Sequence, residues 1–240
     1  MVCALYYHWH VPTALVLSAG GMFGAWEVGV WKTLNHHFRP DCIVGASAGA
    51  WNGWMIAAGC SAEELTAAWL DPVNATIIPR AGVLRQMARE LFAHFRPRVP
   101  FGLTVVEVPR MRVRLVRDSE ITWQHLAAAC SIPLLFPPVR IDGASYVDGG
   151  LLGTLPLWAA SEMGATRAIA VNALTALPFR ALRWALPPRR PSPTIEIVRI
   201  EPPTPLGSMT DAVRWSRAST LRLIEQGERD ATRVCTSITM

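Results

Sequence analysis

Lysine is nearly missing from this chain of 240 residues: Lys32 is the single one, and arginine supplies almost all the positive charge. Also absent are paired cysteine spacings, a long unbroken apolar run, and any histidine beyond His125. Cys3, Cys42, Cys60, Cys130 and Cys235 are scattered, which fits a reducing compartment and excludes a zinc site. No metal and no organic cofactor is expected. Residues 43–60 carry no formal charge, but Gly45, Gly49, Asn52 and Gly53 interrupt them, so they read as a buried strand and helix rather than a membrane span. The first eight residues lack the basic start and small-residue cleavage site of a signal peptide, and a cytoplasmic protein is expected. No basic run with interleaved aromatics accompanies a base-reading motif, so nucleic acid is not an expected partner.

What is present points to a well-packed globular chain. Hydrophobic residues make up 51% and charged residues 17%, which excludes disorder and favours buried strands. The length suits one α/β domain over residues 1–240. A formal charge of +5, carried by arginine and accompanied by 10 tryptophans, suits peripheral contact with an anionic membrane surface. Arginine-rich codon usage would give the same composition. Oligomeric state is left open.

Strand and helix signals alternate along the chain. Ala14-Leu15-Val16-Leu17 is a short apolar run entering a glycine loop, and a helical pattern follows to about His36. Cys42-Ile43-Val44 is a second buried strand. Ser61-Ala62-Glu63-Glu64 has capping-box spacing and starts a helix to about Leu70, and residues 82–95 repeat apolar positions at helical spacing. Residues 103–108 and 111–116 form a hairpin, and Thr122 starts a helix through Cys130. A second hairpin, turning at Asp142-Gly143, delivers Asp148-Gly149-Gly150. A helix near residues 156–163, strands at 168–171 and 194–200, and a last helix from Ser208 to near Gly227 complete the pattern. Residues 177–191 mix arginines, Phe179 and Trp184 with prolines, a composition that suits an interfacial loop or a plain surface loop.

The chemistry centres on Gly45-Ala46-Ser47-Ala48-Gly49, a serine between small residues where a strand gives way to a helix. So sharp a turn leaves no room for neighbouring side chains, and the pattern marks Ser47 as a nucleophile, against the plainer role of helix cap. The loop Ser18-Ala19-Gly20-Gly21-Met22-Phe23-Gly24 offers backbone N–H groups at a helix start, where an oxyanion would sit. A dinucleotide site would want an acid after the second strand, but Asp41 precedes that strand. A serine needs a base, and the usual order of serine, acid, then histidine cannot be built, because no histidine follows Asp148. His94 and His125 are alternatives from unusual positions. Asp148, set between a strand and two glycines, is the better candidate.

In this order the motifs resemble the patatin-like phospholipase family. The likeness rests on residues 18–25, on the elbow around Ser47, on Ile132-Pro133-Leu134-Leu135-Phe136-Pro137-Pro138-Val139, and on Asp148-Gly149-Gly150 with Pro156 following. The resemblance implies a three-layer α/β/α fold with a mostly parallel central sheet, and a serine lipid acyl hydrolase acting on carboxylic esters. It implies Ser47 as nucleophile, Asp148 as base, and an oxyanion hole from the Gly20, Gly21 and Met22 region with Ala48 as a further donor. Leu134, Leu135, Phe136, Phe92 and Phe95 are expected to line a cleft for the acyl tail. Three positions depart from the family pattern: Ala19 where a glycine is usual, Phe23 where a cation is usual, and Thr154 where asparagine is common. With those departures, a lipid-binding or regulatory protein on the same fold, or an acyltransferase, is the alternative.

Overall fold

A computed structural model describes residues 11–175 and 194–238. The strands are β1 (Thr13–Leu17), β2 (Cys42–Ala46), β3 (Phe101–Val108), β4 (Arg112–Arg117), β5 (Val139–Ile141), β6 (Ala144–Asp148), β7 (Arg167–Val171) and β8 (Glu196–Ile200). The helices are α1 (Gly24–Leu34), α2 (Ala48–Ala57), α3 (Ala62–Leu70), α4 (Ala81–His94), α5 (Trp123–Ala129), α6 (Leu157–Glu162) and α7 (Arg217–Ile238).

The sheet is mostly parallel. β8, β7, β1, β2 and β3 lie side by side in that order, each pair parallel. Alternation along each strand divides the core between two layers of helix. Leu15, Leu17, Ile43, Phe101 and Leu103 pack with α1, α2, α5 and α7. On the other face, Ala14, Val16, Val44, Ala168 and Ala170 pack with α6. Central strands covered on both faces must be apolar throughout, which is why β1 and β2 read as continuous hydrophobic runs.

β3 carries the topology that matters most. Its residues 102–107 pair antiparallel with β4 along one edge. The opposite edge is divided. Ile43 to Ala46 of β2 pair parallel with Phe101 to Thr104, and Ser145 to Asp148 of β6 pair antiparallel with Val108 to Val105. The carboxyl ends of β2 and β6 therefore face each other along one edge, with Ala46 opposite Thr104 and Asp148 opposite Val105.

The last helix departs from expectation. It begins at Arg217 and runs to Ile238, not from Ser208 to Gly227. Ser208 and Asp211 instead close a local turn, in which the Ser208 N–H and hydroxyl both donate to Asp211 Oδ2 at 2.8 Å. Ser216 is the residue that caps the helix, accepting from the Ser219 N–H at 3.1 Å. Gly227 is interior because α7 crosses α1 closely: a Cβ there would lie 2.1 Å from Trp26 O, and one on Gly29 would lie 1.9 Å from Ile224 O. Trp26 Nε1 donates to Asp230 Oδ2 at 2.9 Å across the same contact. Residues 177–191 lie outside the described residues. Among those described, no helix is long and apolar enough to cross a membrane.

A buried polar network ties the glycine loop to the helices beside it. The Ser18 hydroxyl donates to Glu27 Oε1 at 3.1 Å and accepts from the Ala173 N–H at 2.9 Å. Asn52 Nδ2 donates to Glu27 Oε2 and to Gly24 O, each at 3.0 Å, and Trp69 Nε1 donates to Asn52 Oδ1 at 2.7 Å. Burial pushes the Glu27 carboxyl up to about 8, against the hydrogen bonds from Asn52 and Ser18 that hold it down.

Two predictions follow from this packing. Gly29→Ala must push α7 off α1 and should cost about 1–3 kcal/mol, read as a lower denaturation midpoint with an unchanged slope. For Glu27, the folded chain holds a proton that the unfolded chain loses above its ordinary value of 4.5, so stability declines as pH rises from there to about 8. In Glu27→Gln that decline should shrink by an amount on the order of a few kcal/mol, measured as the difference in Tm between pH ~5 and pH ~9.

Candidate active site

Ser47 sits between β2 and α2 at φ 53° and ψ −126°, a left-handed conformation that a residue with a side chain seldom adopts. The strain is held in place by close packing on both sides. A Cβ on Gly45 would lie 2.3 Å from Gly49 O, and one on Gly49 would lie 2.4 Å from Ser18 O. Only glycine fits at either position, and the turn lifts the hydroxyl to the carboxyl end of the sheet.

Asp148 is the last residue of β6, and its backbone N–H donates to Ser131 O at 3.1 Å. That bond gives the stretch after α5 a role: it anchors the acid. The Gly150 N–H donates to Asp148 Oδ1 at 2.7 Å, and the Ser47 hydroxyl lies near enough to the same carboxyl group to act on its titration. Burial raises the Asp148 carboxyl to about 7, while Ser47 and Gly150 pull the other way. The structure thus brings the two side chains together. Gly149 lets the chain pass against β3, since a Cβ there would lie 2.3 Å from Thr104 O.

Cys130, which the sequence marks only as a scattered cysteine, also belongs to this cluster. Burial first and the Asp148 charge second push its thiol well above the ordinary value, with the nearby Ser47 hydroxyl acting to a lesser degree the other way. The thiol therefore stays protonated and is a poor nucleophile. Neither candidate histidine is engaged with Ser47. His125 Nδ1 accepts from the Thr122 N–H at 3.2 Å and closes the start of α5, and His94 lies exposed on α4 with Nδ1 2.8 Å from Glu90 O.

The glycine loop lies beside the hydroxyl. Gly21 has φ +54°, and a Cβ on it would meet Ala212 O at 2.2 Å. Met22 differs from the role the resemblance gave it, because its N–H donates to Ala212 O at 2.8 Å. The N–H groups of Gly20 and Gly21 have no partner among the described residues, and that of Ala48 is in the open first turn of α2. Ala19 donates its N–H to Thr154 O at 2.7 Å, so the side chain at position 154 is not what holds the loop. Phe23 is buried in the core and places no cation near the loop.

Over Ser47 opens a largely apolar cleft of about 460 Å³, with Met22, Trp51, Met55, Trp69, Phe95 and Phe136 among its walls. Its described lining contains no lysine or arginine. Three of the expected wall residues, Leu134, Leu135 and Phe92, are not on its walls, and Leu135 packs beside Ile77 and Leu84 instead. Leu134 points into solvent, and Phe92 stacks on Trp54 with ring centroids 5.7 Å apart. Among the described residues, no group of three or more histidine, cysteine, aspartate or glutamate side chains is placed to hold a metal ion.

The family model for patatin-like phospholipases matches residues 15–106 and 78–161. Patatin-like phospholipase domain-containing protein 6 of Mus musculus is 27% identical over 180 residues, covering 66% of this chain and 13% of that protein. Lysophospholipase NTE1 of Debaryomyces hansenii is 28% identical over 179 residues, covering 66% of this chain and 11% of that protein. The chain is therefore similar to a small part of these much longer relatives. In fold it is similar to VipD from Legionella pneumophila, with a TM-score of 0.57 at 12% sequence identity, over 95% of this chain and 67% of that one. With the motifs of the elbow, the glycine loop and the Asp148 turn all inside the matched span, the chain belongs to the patatin-like phospholipase family.

Proposed function

We propose that this chain, as one domain, hydrolyses carboxylic esters of lipids through Ser47 and Asp148, without metal or organic cofactor. The observation that carries this reading is the meeting of β2 and β6 at their carboxyl ends, which sets the Ser47 hydroxyl beside a buried carboxyl group raised to about 7. An ordinary aspartate is too weak a base for an alcohol, and burial brings it close to working pH.

In the proposed cycle Asp148 takes the Ser47 proton as the oxygen attacks the ester carbonyl carbon. The carbonyl oxygen becomes an oxyanion, held by the N–H groups of Gly20, Gly21 and Ala48. As the tetrahedral intermediate collapses, the bond to the alcohol breaks and Asp148 returns the proton to the leaving oxygen. Water then gives its proton to Asp148 and attacks the acyl-serine, releasing the fatty acid and restoring the serine. The apolar cleft beside Ser47 suits the acyl tail, and the absence of a cation from its described lining suits recognition of the acyl part rather than of a phosphate. The oxyanion donors in this proposal are backbone groups, so the departures at Ala19 and Phe23 leave them in place.

A fluorophosphonate probe should label the folded wild type and not Ser47→Ala; an unlabelled, folded wild type would count against the nucleophile. Asp148→Asn should keep the fold and lower kcat on the order of 100- to 10,000-fold. Because the base must be ionised, kcat should rise with pH through about 7 and level off above it. A rate independent of pH across that range would remove Asp148 from the base role.

A further inference from the structure

Leu134 is the most exposed large apolar residue among those described, at 105% of its reference area, and its φ of 72° lies in the left-handed region. A leucine gains nothing by itself from either condition. Solvent exposure forfeits burial, and the conformation brings its Cβ against the backbone. Its neighbours in the loop behave in the opposite way. Ile132 and Phe136 line the cleft over Ser47, and with Leu135 they pack toward Ile77, Leu84 and Met87. The loop thus buries Phe136, half-buries Ile132 and Leu135, and presents one leucine outward beside the cleft.

The helix against which this loop packs, α4, and the residue before it carry positive charge. Arg80 precedes α4, and Arg85 and Arg89 are one turn apart on it, a like-charge spacing that disfavours the isolated helix. Among the described residues none of the three forms an ion pair, and the Arg89 guanidinium lies over the Trp123 ring at 4.1 Å from its centroid. The carboxylates lining the cleft hydrogen-bond to neutral donors rather than to these arginines: Asp71 accepts from the Val73 N–H, Glu90 from Gln86 Nε2 and Glu64 from the Ser61 N–H, each at 2.8 Å. Val73, itself exposed, adds a second apolar group on a segment that lines the cleft.

We propose that this rim, with Leu134 at its tip and the α4 arginines beside it, is the surface by which the protein seats on an anionic phospholipid bilayer. Leu134 would enter the acyl region while the arginines meet lipid phosphates, the pairing that holds proteins at an interface. The proposal deepens the lipid-hydrolase reading, because a cleft opening onto the bilayer receives an acyl chain without passing it through water. Charge complementarity and the continuity of the rim with the cleft both favour lipid over a protein partner.

The test uses the full chain as Ser47→Ala, so that binding is read without turnover and independently of whether Ser47 is the nucleophile. Flotation with vesicles of phosphatidylcholine mixed with phosphatidylglycerol should capture the protein, and phosphatidylcholine alone should capture much less. Adding Leu134→Asp should weaken capture by at least about tenfold. Leu134→Gly should weaken it as well while Tm holds or rises, since glycine relieves the left-handed backbone; that pair separates lost insertion from lost folding. Arg85→Glu with Arg89→Glu should abolish the preference for the anionic vesicles. Undiminished flotation of both Leu134 variants, or equal binding to the two kinds of vesicle, would overturn the proposal. So would a dimer that Leu134→Asp converts to a monomer while flotation is unchanged, because the rim would then be a self-contact.

Discussion

One edge of β3 serves two strands that approach from opposite directions. β2 occupies its first half and β6 its second, and they stop at adjacent positions, Thr104 and Val105. Whatever follows β2 and whatever ends β6 must therefore share one small space at the carboxyl end of the sheet. Ser47 is the first of these and Asp148 the second. No flexible loop sets their approach; backbone hydrogen bonds of three strands do, and each is buried in a layered core. In open α/β sheets this end is where sites form, since helix starts and loop N–H groups converge there.

The site is costly to the fold and is supported on every side. Two carboxyl groups, Asp148 and Glu27, are taken out of water, and burial raises both. They are used differently. Asp148 faces a hydroxyl and a backbone N–H, a setting that leaves its proton exchangeable with a neighbour. Glu27 faces Ser18 and Asn52, which join the first residue of the glycine loop to α1, α2 and, through Trp69, α3. A group of that kind positions backbone rather than reacting. The strained backbone at Ser47 adds a further cost, and the close glycine packing against Gly49 O and Ser18 O supplies the restraint that keeps it.

Much of this was legible in the residues because it is local. A strand ending in Gly-Ala-Ser-Ala-Gly, a glycine loop before a helix, and Asp-Gly-Gly after a hairpin each state their own geometry. The absence of a later histidine then left Asp148 as the acid to pair with Ser47. What the residues could not state depends on distant chain. Gly227 looks like a helix end and is interior only because α1 comes close enough to forbid a side chain. Ser208 and Asp211 have the chemistry of a helix start and spend it on a turn. The Met22 N–H looked free until Ala212 O met it. Leu134 resembled one more cleft residue until exposure set it in solvent, and nothing in the sequence singled out Glu27, whose part comes from its burial.

In the proposed reaction a hydroxyl, a carboxyl group and a set of backbone donors act on one carbonyl. A crystal structure of the protein reacted with a long-chain alkyl fluorophosphonate reports on all three at once. Phosphorus bonded to Ser47 Oγ, a phosphoryl oxygen within hydrogen-bond reach of the Gly20, Gly21 and Ala48 N–H groups, Asp148 against the adduct, and the alkyl chain in the cleft are the predicted result. An adduct on another residue, or a phosphoryl oxygen turned away from the glycine loop, would contradict it.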